Sequence, residues 1–153
     1  MSSDVHVMWK TPKHVFVRRD NLVVQVRGEE LTLEALEAHE TGLLLARAQI
    51  RSSAFGALLV IEADAPAPTG EVAKRQREIV GSFGADERIH VCIVFEGSST
   101  TVALKRTLAR ALFRGERRHI ASSVRDGARW LSPALGIPAD EIVAFVESQR
   151  ADR

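Results

Sequence analysis

The sequence predicts a single α/β domain: a mixed, mostly parallel sheet of about five strands, opened by an antiparallel hairpin and covered by four to five helices. Three observations predict it. The apolar runs "GALLVIE" and "HVCIVFE" have strand length and no polar side, the pattern of strands buried on both faces. Amphipathic segments of helical spacing alternate with them, which implies right-handed crossovers within one sheet. The length of 153 residues suits one domain, which at this size buries roughly 70% of its unfolded surface.

In chain order, residues 1–13 stay unassigned, because Val5, Val7 and Trp9 alternate as in a strand whereas Pro12 follows them, and chain ends in general are often mobile. The domain is placed at residues 14–148. "HVFVRRDNLVVQVRGEE" reads as two strands around an Asp20-Asn21 turn, with Val15, Val17, Leu22, Val24 and Val26 inward. Thr32 then caps a first helix, whose face is Leu36, His39, Leu43, Ala46 and Ile50; Gly42 within it predicts a kink or an early end. A lone His39 on that face reads as a satisfied boundary residue. The strand "FGALLVIEADA" stops at Pro66 and Pro68, and a second helix runs to Gly84. "RIHVCIVFEG" leads into a third helix, expected over residues 100–113. A short strand "RRHIAS" follows, then a helix capped by Ser123 with Trp130 packed on the sheet, then a last helix from Pro138 to about Glu147.

Lys and Arg total 21 against 20 Asp and Glu, a net charge of +1, so nothing global draws the chain to nucleic acid. The one cysteine, Cys92, lies in an apolar run and predicts a buried thiol in a reducing compartment. No apolar segment reaches the roughly 18 residues a membrane span needs, and "MSSDVHVMWK" lacks the pattern of a signal peptide. A cytoplasmic protein without membrane insertion is expected.

Ligands of open α/β sheets favour the carboxyl ends of the parallel strands. Two loops qualify there, and they supply the candidate ligand-binding residues Asp64, Thr69, Gly97, Ser98, Ser99 and Thr100. A small anion could meet the free N–H groups at the start of the third helix. Against it, Glu62 and Glu96 end the same strands and repel phosphate, and neither a Gly-x-Gly-x-x-Gly nor a Walker motif occurs. On the third helix, Arg106, Arg110 and Arg114 form an i, i+4, i+8 stripe that Arg117 prolongs, beside an apolar arc of Val102, Leu104, Leu108, Ala109, Leu112 and Phe113. The stripe is a candidate docking face for a protein partner or for a second copy, whose first helix would offer Glu34, Glu37 and Glu40. Five scattered histidines and the absence of a Gly-x-Ser-x-Gly elbow supply no catalytic set, no metal site and no cofactor site.

The element order, together with "GALLVIEADAPAPTGEVAKRQREIV", "IHVCIVFEGSSTTVALKRTLARALF" and "RHIASSVRDGARWL", resembles the STAS-like domains of bacterial anti-anti-sigma factors and their SpoIIAA-like relatives over about His14 to Leu135. The resemblance implies a non-enzymatic regulatory or signalling module that binds a protein or, in some relatives, a small molecule. Partner-switching members carry a phosphorylated serine in an Asp-Ser-Ser-Gly-like turn after the third strand. Here that place holds "ADAPAPTGE", with Thr69-Gly70 as a loose substitute, so a phosphoserine switch is not expected. The alternative function is a small-ligand module, for an anion, nucleotide or lipid, built on the strand-end loops.

Overall fold

The computed structural model describes residues 4–153. It is an α/β domain with one six-stranded sheet whose spatial order follows the chain. Strands β1 (His6–Thr11), β2 (His14–Arg19) and β3 (Leu22–Arg27) form an antiparallel meander, and β4 (Phe55–Ile61), β5 (Ile89–Phe95) and β6 (Arg118–Ala121) continue from β3 in parallel. The sixth strand is β1. Pro12 does not end it prematurely but opens the Pro12-Lys13 turn, pairing Thr11 with His14, because a fixed φ suits the first turn position. At the next turn Asp20 takes φ 54, the left-handed backbone that Asp tolerates.

Three crossovers step the same way along the sheet, through helices α1 (Leu33–Gln49), α2 (Gly70–Gly84) and α3 (Thr100–Leu112). Right-handed connections therefore place all three on one face, with α2 in the middle. Helices α4 (Val124–Leu135) and α5 (Ala139–Asp152) cover the other. Strand alternation divides the core accordingly. Val15, Val17, Val24, Leu58, Cys92 and Val94 meet Leu131, Ile142 and Phe145 on the α4–α5 side; Phe16, Val23, Phe55, Ala57 and Val91 meet Leu36, Ala46, Ile79 and Phe83 on the other.

Two expectations about helices change. Gly42 neither kinks nor ends α1, which runs unbroken through it; a Cβ at this position would collide with Met8, so the glycine lets β1 close against the helix. The last helix extends past Glu147 to Asp152, and that extra turn delivers Arg150 to the strand ends. With β1 it carries the packed unit beyond residues 14–148. No helix among the described residues is long and apolar enough to cross a membrane.

Candidate functional site

At the carboxyl ends of β4 and β5 the structure holds an ion-pair cluster. Arg150 donates from Nη1 to Glu62 Oε2 and Glu96 Oε1, both at 2.8 Å, and from Nη2 to Glu96 Oε2 at 3.0 Å. Arg153 adds bonds of 2.5 and 2.9 Å to Glu62. Burial acts to raise the pKa of Glu62, but the two arginines outweigh it and hold the carboxyl below its ordinary value. The Glu96 bond chiefly raises that of Arg150. The crevice in which such sheets bind ligands is thus occupied by the protein's own charges.

Of the predicted loop residues, Ser99 and Gly97 have structural roles. Ser99 is the N-cap of α3, its hydroxyl accepting from Val102 N–H at 3.2 Å. Gly97 takes φ 116 and packs against Ala63 and Val102, where a Cβ would stand 3.0 and 3.2 Å from them. Asp64, Thr69, Ser98 and Thr100 are exposed, and Thr69 precedes α2 without a side-chain capping bond.

The arginine stripe divides. Arg106 folds back on the backbone, donating to Phe95 O at 3.0 and 2.8 Å and also to Gly97 O. Arg117 donates to Asp86 O at 2.6 Å and Ile89 O at 3.1 Å, tying down the turn before β5. Arg110 and Arg114 remain in solvent. The expected apolar arc of α3 is not buried as a unit: Val102 is buried, whereas Leu104, Leu108 and Leu112 are 58, 55 and 84% exposed. Amphipathic spacing requires a neighbour that reaches across, and among the described residues none does.

The reason is a cleft between α2 and α3. It comprises a cavity of about 420 Å³ and an adjoining one of about 260 Å³. Leu59, Ile61, Ile93 and Phe95 form its floor, Leu108, Ala109 and Leu112 its α3 wall, and Val80 and Gly81 its α2 wall. Gly81 borders open space on the α2 side, where a Cβ would meet nothing within 4 Å. None of the ten candidate ligand-binding and docking residues lines the cleft, whereas Leu108, Ala109, Leu112 and Phe113 of the expected apolar arc do.

Two buried polar groups that reach it, Gln25 and Arg27, were missed. In "LVVQVR" they continue the alternation of Val23, which suggests a solvent-facing edge; a strand flanked on both faces buries them instead, to 4 and 2% exposure. A polar pair in an otherwise apolar strand was the available signal. His39 also differs from expectation. It is buried, stacked on Phe16 at 4.2 Å and edge-on to His14 at 4.9 Å, with Nε2 unpartnered. Burial lowers the pKa of His39 to about 3 and of His14 to about 4, so both rings are neutral near pH 7. On the opposite face the Cys92 thiol is buried and its pKa pushed up to about 12 by that burial, with Asp126 adding to the shift, which makes it inert.

No family model, curated protein or solved structure matches the chain.

Proposed function

We propose that the chain is a non-enzymatic binding module whose working site is the α2–α3 cleft rather than the strand-end loops. The observation that carries this reading is a pair of adjoining, largely apolar cavities of about 420 and 260 Å³ that share Arg27, Ile61, Pro68 and Phe95 in their walls. Sites for small molecules span about 300–1,000 Å³ and combine apolar walls with a few fixed polar groups. Binding rather than catalysis fits the lining: among the described residues it offers cations and amides but no histidine, carboxylate or nucleophile.

The test uses Gly81→Leu. Leucine removes the helix penalty of an interior glycine, about 0.5–1 kcal/mol, and its side chain enters the open space. The variant is expected to melt at or above the wild-type temperature while losing binding of the neutral apolar dye Nile red, read as fluorescence enhancement. Wild-type protein that does not bind the dye, or a variant that binds it unchanged, rejects the cleft as the site.

A second reading keeps the regulatory, STAS-like expectation, with a protein as the ligand. It is favoured by Leu104, exposed outside both cavities on the helix that also carries the solvated Arg110. Helix α1 in the same layer exposes Leu44, Leu45, Glu34 and Glu37. A two-fold axis through α2 would set α1 of one copy on α3 of another twice over, matching acid to base in a closed dimer. Light scattering at low salt is expected to give twice the monomer mass and to fall toward one on adding salt; a monomer throughout removes this reading.

A further inference from the structure

Arg27 is the least ordinary group in the molecule. It lies in the interior of the domain, and its side chain borders both cavities of the cleft. Buried cations are normally paired with an anion, because leaving one uncompensated is strongly unfavourable. Arg27 has only two backbone acceptors, Glu29 O at 2.8 Å and Pro66 O at 3.1 Å, both from Nη1. Its Nε has no hydrogen-bond partner, and no carboxylate among the described residues forms an ion pair with it. Burial accordingly draws its pKa below the ordinary arginine value.

The surroundings have the same sign. Arg77 and Arg118 line the larger cavity and Lys105 the smaller, and no acidic residue lines either one. In a chain whose charges nearly balance, at +1 overall, four cations and no carboxylate line one cleft, with Arg118 lying over the Phe113 ring at 5.1 Å and Arg77 exposed. Gln25 stands beside Arg27 on the floor, held at 3.0 Å by His14. A larger hollow of about 690 Å³ on the α4–α5 side lacks this bias, because Asp20 and Glu141 outnumber its one cation, Arg19.

Resting on the cleft reading above, we infer that the natural ligand is a single-chain organic anion, with an acidic head group that pairs with Arg27 at the floor and an apolar body lying along Ile93, Phe95 and the leucines of α3. The planar guanidinium fork suits a carboxylate. The free leucines of α3 suit an alkyl chain, whose burial would remove the apolar surface that helix now leaves in water.

Calorimetric titration of the full chain with decanoate, decanol and inorganic phosphate tests the head group and the body separately. Decanoate is expected to bind about 10- to 100-fold more tightly than decanol, the difference a hydrogen bond to a charged group makes, and phosphate not to bind. In Arg27→Met the preference for decanoate over decanol is expected to vanish while decanol binding remains. Equal affinity for decanoate and decanol in the wild type overturns the acidic head group, and phosphate binding as tight as decanoate overturns the apolar body. Either result leaves the cleft itself to the dye measurement. Because the wild-type comparison decides the matter alone, a poorly folded Arg27→Met does not obscure it.

Discussion

Leu58→Ala is expected to lower unfolding stability by about 2–5 kcal/mol, whereas Leu108→Ala stays within about 0.5 kcal/mol of wild type. The two leucines differ in whether the surrounding fold encloses them. Leu58 sits at the centre of β4, fully buried between β3 and β5, against the α4 side chains that include Leu131. Its truncation leaves a cavity whose walls belong to two strands and a helix and therefore collapse poorly. Leu108 has the same chemistry on a helix that nothing covers. Urea unfolding of both variants checks the contrast. A loss above about 1.5 kcal/mol for Leu108→Ala would mean that α3 is packed rather than open.

Acid is the second large lever. His14 and His39 have pKa values near 4 and 3 in the folded protein, lowered chiefly by burial, with Arg27 acting on both and Arg153 on His14. Unfolded, each titrates near 6.5. The unfolded chain therefore binds more protons below pH 6.5, so stability is full above that value. It declines as pH falls, by up to about 1.4 kcal/mol per pH unit for each ring, until the folded pKa values are reached. The effect of His14 alone is on the order of 3 kcal/mol. His90, lowered by burial and by Arg117, adds in the same direction. Glu62 contributes only later: its carboxyl is depressed, so its share is lost below the usual carboxylate range. Unfolding curves between pH 7 and pH 4.5 are expected to show the decline, and His14→Gln with His39→Gln to flatten it. A stability independent of pH across this interval contradicts the burial of the two rings.

Much of the fold was legible because buried parallel strands and amphipathic helices leave different periods in a sequence. Leu58 to Ile61 and Val91 to Phe95 lie in adjacent central strands, as their uninterrupted apolar runs imply. β1 was not legible, since Pro12 gives the same signal whether it breaks a strand or turns it. The site was not legible for a related reason. Periodicity assigns Leu104, Leu108 and Leu112 to one side of a helix but says nothing of whether a neighbour stands opposite. The neighbouring helix there presents Gly81, an inconspicuous residue that leaves open space. The strand-end loops drew attention by composition, but their filling came from Arg150 and Arg153, more than fifty residues away from either glutamate in the chain.

The most direct test of the account is where decanoate touches the protein, followed by amide and side-chain NMR shifts during titration. The account predicts saturable shifts at Gln25, Arg27, Gly81, Ile93 and Ala109, with Asp64, Thr69 and Ser98 unmoved. Shifts centred on the strand-end loops, or none at all, would contradict it.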